Sequence, residues 1–443
     1  MTQDPHPYIP GFDEVFSKYS LDNEPLTIVF EDNFKDFNTL ESLSCFFMQA
    51  PRAGDGYGAL VTPFAFDDTH FKGLSNICMD HVWNVKYMFG GHEYFNDING
   101  SKAFETIDLT GLDMSKLNNL DAMFANCLNL KSIVWPEGFD CSKITSMYKT
   151  FFNCDALYGN DLLKVLENLD TSNVTNMSYM FAKRHFYNEE QQLQNEAIDI
   201  DYIFPSKFSV ASVTNMTRMF AGNEFAKSIN IKTKTTLFEL FASEQDNANA
   251  LTVDATGMFE GCSNLQTLTA DSSSWFGKIS IKTSVNMFAY CYSLTNDVPT
   301  KLGTPNFPDF SACTDMYGMF QFCQSMSQFA PSTKTNRFDT SNVVYMDSMF
   351  TYSGLTGFDV GKAPSNFNTG NTVSFNRMFD NCTSLTSANL FREKIRDPKA
   401  IVDARYMFRY CESLSTISLK NFHFDTDDNF NAYKSTSIDR NFR

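Results

Sequence analysis

The chain has 443 residues, enough for about three ordinary domains or one repetitive one. Its 35 Lys plus Arg against 52 Asp plus Glu give a net charge of −17, which argues against a nucleic-acid partner, because gripping a phosphate backbone needs a basic surface. At 43% hydrophobic and 20% charged it is neither a disordered acidic tail nor a membrane protein, yet 45 Phe and 20 Met beside 3 Trp and 6 His need a structural reason.

The N-terminal residues MTQDPHPYIPGFDEVFSKYS hold no apolar stretch that could serve as a signal-peptide core, so an export signal is absent, removed or carried elsewhere. No segment reaches the roughly 18 to 20 apolar residues of a spanning helix, so membrane insertion is not expected. Leu26-Thr-Ile28-Val-Phe30 and Leu60-Val-Thr-Pro-Phe64-Ala-Phe66 predict short strands amid acidic loops. Residues 1–70 therefore form a small β-rich module, either a cap over the first repeat or an attachment or oligomerisation element.

From about Phe71 a repeat takes over. Met-Phe occurs ten times, from Met88-Phe89 to Met407-Phe408, and Thr150-Phe151 and Leu240-Phe241 are degenerate copies, giving twelve with a mean spacing of 29 residues. Seven residues before the Phe stand Val82, Leu117, Ile144, Val174, Val213 or Val343, and four before it Val85, Leu120, Met147, Met177, Met216 or Met346. Apolar residues at these offsets share one face of a short helix. The strings Asp170-Thr171-Ser172-Asn173 and Asp339-Thr340-Ser341-Asn342 supply side-chain oxygens to cap it. Three residues after the Phe comes Cys127, Cys154, Cys262, Cys291, Cys323, Cys382 or Cys411, and three further on a Leu that opens a strand. Leu130-Lys-Ser-Ile133-Val-Trp135, Leu265-Gln-Thr-Leu268-Thr-Ala270, Leu385-Thr-Ser-Ala388-Asn-Leu390 and Leu414-Ser-Thr-Ile417-Ser-Leu419 share the form L-x-x-L-x-L, and Phe104 to Leu109 and Leu355 to Val360 fit it too. Sixteen of the twenty Met occupy repeat positions, where flexible sulfur side chains fill gaps beside Phe rings. One such unit cannot bury its apolar face alone, whereas stacked units share a continuous core.

On these residues the sequence resembles the BspA-like leucine-rich repeat family, the mycoplasma-type surface-protein repeat. Leu169-Asp-Thr-Ser-Asn-Val-Thr-Asn-Met-Ser-Tyr-Met-Phe181 and Phe338 to Phe350 carry the likeness best, and it extends from Phe71 to Leu419. The resemblance implies an α/β repeat fold, a leucine-rich-repeat-like solenoid of about twelve strand plus short-helix units over residues 71–419, with residues 420–443 as a C-terminal cap or tail. It also implies a role in adhesion or protein recognition with no catalytic residue set. The copies around Phe181 and Phe220 lack the Cys, an insertion runs from about Lys183 to Ser206, and the copies near Phe241 and Phe259 are compressed.

Neighbouring rungs lie about 4.8 Å apart, within the Cα range of roughly 4.4 to 6.8 Å of a disulfide, but parallel side chains favour buried free thiols. No Cys or His pair has metal-ligand spacing. His70, His81 and His92 cluster around the first repeat without a positioned partner. Asp425, Asp427 and Asn429 open like a calcium loop, but Phe430 replaces the needed Gly and Thr436 the bidentate Glu. No P-loop, G-x-S-x-G or H-E-x-x-H is present, so neither catalytic residues, cofactor nor metal are expected. Between the inward strand residues the outward ones are Asp108, Val134, Thr269, Asp359, Asn389 and Ser418, a small and polar set. They either keep the sheet wet or form a recognition face. The expected function is a non-enzymatic extracellular recognition or adhesion protein, on a cell surface or virion, that binds a protein or glycan partner through the repeats. A structural or receptor-binding component of a virion or phage appendage is the first alternative, and a hydrolase on a repeat scaffold the second. Oligomeric state stays open.

Overall fold

Apolar side chains two residues apart point to one side of an extended chain, and each Leu-x-x-Leu-x-Leu stretch folds as a short strand that buries that side. The computed structural model describes residues 28–32, 36, 40–43, 64–66, 71–90, 104–167, 169–183, 197–234, 251–272, 274–332, 335–359, 367–390 and 401–419. The chain divides into two compact units, Met1–Val174 and Thr175–Arg443.

The first unit contains β1 (Ile28–Val29), β2 (Phe64–Phe66), β3 (Phe71–Lys72), β4 (Phe104–Asp108) and β5 (Ser132–Val134). Strand β1 pairs with β3, and β2, β4 and β5 form a second sheet in that order. All these pairings are parallel, with Ile107 beside Ile133. Strands from within residues 1–70 thus pair directly with strands of the repeats. Helix α1 (Gly159–Leu166) buries Leu162, Leu163, Val165 and Leu166.

The second unit contains β6 (Ile198–Pro205), β7 (Ala226–Lys234), β8 (Thr252–Asp254), β9 (Thr267–Ala270), β10 (Ser280–Thr283), the short helix α2 (Asp297–Lys301), β11 (Gly357–Asp359), β12 (Ser387–Asn389) and β13 (Thr416–Ser418). Its sheets run β6-β7-β9, β8-β10 and β11-β12-β13, again all parallel, as strands from successive coils of a solenoid must be. Inward positions stack apolar on apolar, as in Phe358 beside Ala388 beside Ile417.

The Met-Phe segments correct the expected helix. The residue two before the repeat Phe and the residue two after it both take left-handed backbone angles: Ser348 (φ 55°) and Tyr352 (56°) around Phe350, Arg377 (56°) and Asn381 (58°) around Phe379. A left-handed residue at every fourth position stops an α-helix from propagating. The hydrogen bonds alternate accordingly. Around Phe320 the amides of Met316, Gly318, Phe320 and Phe322 donate to Tyr345, Asp347, Met349 and Thr351 in the next coil at 2.7 to 2.9 Å, while those of Met319, Gln321 and Cys323 reach three residues back at 3.0 to 3.3 Å. Val343, Met346, Met349 and Phe350 are fully buried, as a helix would also have them. The apolar spacing is therefore the same for both backbones.

The expected caps act on tight turns. Asp170 and Asp339 accept from the Ser172 and Ser341 amides at 2.9 and 2.8 Å. Asn173 and Asn342 each donate a side-chain amide one coil back, to the Ser142 and Ser311 carbonyls at 2.8 Å. A side chain thus closes its own turn and ties it to the neighbour.

The repeat Phe rings are the spine of both units. Phe89, Phe124 and Phe151 stack in the first, and the series from Phe181 through Phe220, Phe259, Phe288, Phe320, Phe350 and Phe379 to Phe408 in the second. Centroids lie 5.3 to 6.0 Å apart with planes within 17° of parallel, an offset-stacked geometry. The copy at Leu240-Phe241 lies outside the described residues, and Phe220 stacks directly on Phe259 at 5.5 Å, so no rung intervenes and the turns number slightly fewer than twelve. The insertion expected from Lys183 to Ser206 is shorter too: residues 184–196 are outside the described ones, while Ile198–Pro205 is β6, a full strand of the stack.

Candidate recognition surfaces

The alternation that buries Ile107, Leu268, Phe358 and Ala388 turns the residue after each of them outward. Asp108 lies in register with Val134, which is exposed. Asp359, Asn389 and Ser418 form one rung across β11, β12 and β13, where the Asn389 side-chain amide donates to the Asp359 carboxylate at 2.8 Å. Thr269 stands beside Asn230 of β7, which stands beside Asp201 of β6. The six expected face residues therefore fall on three sheets, one in the first unit and two in the second.

Of the most developed of these surfaces, only Thr269 is among the face residues expected from the sequence. On the β6-β7-β9 sheet the Thr269 hydroxyl donates to the Asn230 side-chain carbonyl, whose amide donates to Asp201 at 2.9 Å, and the Ser228 hydroxyl donates to Asp199 at 2.8 Å. Lys232 reaches Asp201 at 2.6 Å. Asp199, Asp201, Ser228, Asn230 and Lys232 lie in strands without the Leu-x-x-Leu-x-Leu form. Strict alternation in Ile198-Asp-Ile200-Asp-Tyr202 and Ile229-Asn-Ile231-Lys232 was the signal that marks them.

A second surface follows from the left-handed turn. At two residues after the Phe the side chain faces outward, and Tyr290, Phe322 and Tyr352 occupy this position in three successive coils. Their rings stack at 4.8 and 4.7 Å, and Tyr292 packs edge-on against Tyr290 and Phe322. Tyr317, Tyr345 and Tyr410 are also exposed. Burial raises the carboxyl pKa values of Asp315 and Asp347. Burial also pulls Asp403 upward, but hydrogen bonds from the Arg405 side chain and backbone outweigh it and leave the group lowered.

Among the described residues the repeat cysteines are thiols with a defined task. Cys154, Cys262, Cys291, Cys323, Cys382 and Cys411 donate to the repeat Phe carbonyl of the preceding coil at 3.0 to 3.3 Å. Burial pushes the Cys382 and Cys411 thiols up to about 12, so they stay protonated and able to donate. His81 is exposed, while His70, His92 and the Asp425 to Thr436 segment lie outside the described residues. Among the described residues no group of three His, Cys, Asp or Glu converges as a metal site, and no helix is long and apolar enough to cross a membrane.

This repeat register matches, in four overlapping stretches (63–161, 98–253, 191–329 and 314–439), the family described as Mycoplasma protein of unknown function, DUF285. The chain belongs to this family. No curated protein matches it in sequence. Two solved structures are similar. One is a leucine-rich repeat protein from Bacteroides ovatus ATCC 8483 (14% identity, 72% of this chain and 61% of that one, TM-score 0.28). The other is a leucine rich cell surface protein from Faecalibacterium prausnitzii A2-165 (12% identity, 77% of this chain and 83% of that one, TM-score 0.25). The chain spans about six tenths of the Bacteroides protein's length. The solenoid architecture itself rests on this chain's own parallel coils.

Proposed function

We propose that the protein is a non-enzymatic recognition protein, displayed outside the cell or on a particle, that binds a protein or glycan partner through the polar face of the β6-β7-β9 sheet. The observation that carries this reading is the hydrogen-bonded grid of Asp199, Asp201, Ser228, Asn230 and Thr269. Parallel pairing fixes these groups about 4.8 Å apart from rung to rung, so little side-chain entropy is lost when a ligand engages them. The pairing of β1 and β2 with repeat strands favours a cap role for residues 1–70.

The test is a glycan-array and host-protein pull-down screen of the full chain and of Asn230→Ala/Thr269→Ala, with a chain lacking residues 1–70 as a third arm. Binding lost in the double variant and kept in the deletion supports the sheet face. Binding lost only in the deletion moves the site to the N-terminal module and overturns the reading.

A further inference from the structure

Each Met-Phe turn hands its amides to the coil that follows. Those of Phe375, Arg377, Phe379 and Asn381 donate to the Asp403, Arg405, Met407 and Arg409 carbonyls at 2.8 to 2.9 Å. One coil later the equivalent amides, of Ala404, Tyr406, Phe408 and Tyr410, have no acceptor among the described residues. The core opens at the same coil. Phe379, Leu385 and Leu390 are fully buried, whereas their successors Phe408, Leu414 and Leu419 are only half-buried. A row of backbone donors beside half-covered apolar side chains is a template for one more layer of chain.

The residues that follow carry the start of such a layer. In three coils the turn before Met-Phe begins with a buried apolar residue, then Asp or Asn, then a buried Thr: Leu169-Asp170-Thr171, Phe338-Asp339-Thr340 and Phe367-Asn368-Thr369. The middle residue closes the turn by accepting from the amide two residues on, at 2.7 to 2.9 Å. Phe424-Asp425-Thr426 repeats this string. It starts 10 residues after Leu414, between the 9 that separate Leu130 from Phe139 and the 12 that separate Leu355 from Phe367. The family match likewise runs on to residue 439. We propose that residues 424–438 dock on the coil of Phe408 as one further coil and close the stack. In this register the carbonyls of Asn431, Tyr433, Ser435 and Ser437 accept from the amides of Ala404, Tyr406, Phe408 and Tyr410. Asn429, Ala432, Ser435 and Thr436 take the slots that Val343, Met346, Met349 and Phe350 fill in a complete coil. The added coil therefore covers Phe408 but offers no apolar face to a further layer, as the end of a solenoid requires. The register also gives the Asp425-Thr-Asp427 string a task, closing its own turn, in place of a calcium loop. The proposal goes beyond the recognition role of the β6-β7-β9 sheet: it covers an edge that otherwise pairs with strands of other chains.

Hydrogen–deuterium exchange of the full chain at about 1 and 100 μM measures it, because an amide held by a neighbouring coil exchanges slowly. Amides 404–410 are expected to exchange within about tenfold of amides 375–381, equally at both concentrations. Phe424→Asp is expected to speed exchange at 404–410 by about tenfold or more and to leave 346–352 as in the parent, since each layer of a solenoid leans only on its neighbours. Should Phe424→Asp fail to fold, Thr426→Ala, which removes one hydroxyl, is read at the same amides for a rise of about threefold or more. Fast exchange at 404–410 in the parent overturns the proposal, as do variants that exchange like the parent. Protection at the higher concentration that is lost at the lower one overturns it too, because a second copy then covers the end.

Discussion

Replacing Gly318 by Ala separates the turn backbone from a helix by the sign of its effect. In a helix Gly→Ala gains about 0.8 to 1 kcal/mol. In the structure Gly318 has φ 59°, and an added Cβ would lie 2.3 Å from Asn286 Oδ1 and 3.0 Å from Gln321 Nε2. A left-handed alanine costs about 1 to 2 kcal/mol. Relieving the clash means moving Asn286 away from Gln321, whose amide it accepts at 2.9 Å, and a lost hydrogen bond costs about 1 kcal/mol. The stiffer unfolded chain returns about 0.4 to 1 kcal/mol. The net expectation is a loss of about 1 to 2.5 kcal/mol, or a fall in Tm of about 2 to 4 °C per kcal/mol for a unit of this size. Urea denaturation followed by far-UV circular dichroism, with a thermal scan beside it, measures both. A variant more stable than the parent would refute the alternating turn.

Other consequences follow from the stack and its partners. Phe320→Ala opens a cavity between Phe288 and Phe350 and is expected to cost about 3 to 5 kcal/mol, read from the urea midpoint. Arg409→Ala leaves the Asp380 carboxylate, only 2% exposed, without its cation and is expected to cost about 3 kcal/mol, most of it recovered on adding Asp380→Asn. The two thiols at about 12 titrate near 8.5 once unfolded. Their folded values are the higher ones, so the stability they contribute is complete below about pH 8.5 and is lost as pH rises toward 12. Urea midpoints between pH 7 and 10.5 follow this decline, and Cys382→Ala/Cys411→Ala flattens it. Iodoacetamide at pH 8.5 alkylates these thiols in urea but spares Cys382 in the folded chain.

The core was legible because burial is periodic: the Met-Phe register located each spine ring, and the inner residues of Leu-x-x-Leu-x-Leu located β5, β9, β12 and β13. The backbone of the Met-Phe turn was not, because Val343, Met346, Met349 and Phe350 are spaced alike in either conformation. Its left-handed positions are filled by Tyr179, Arg218, Ser348 and Arg377, types that do not announce such angles. A hint did exist two residues after the Phe, where Asn126, Asn153, Asn381, Gly222 and Gly261 recur, the residues that tolerate this region best. The tyrosine stack was hidden for another reason: Tyr290, Phe322 and Tyr352 keep step over only three coils. The polar grid of β6 and β7 was missed because their alternating Ile and Tyr, with no opening Leu, follow a different template from the other strands.

Hydrogen–deuterium exchange of the full chain with and without a ligand taken from the glycan and protein screen tests the recognition claim most directly. The account predicts that the ligand slows exchange within 199–203, 228–232 and 267–270, the three strands that carry the polar grid. Slowing confined to residues 1–70, or to the tyrosine turns at 290–292 and 345–352, would contradict it.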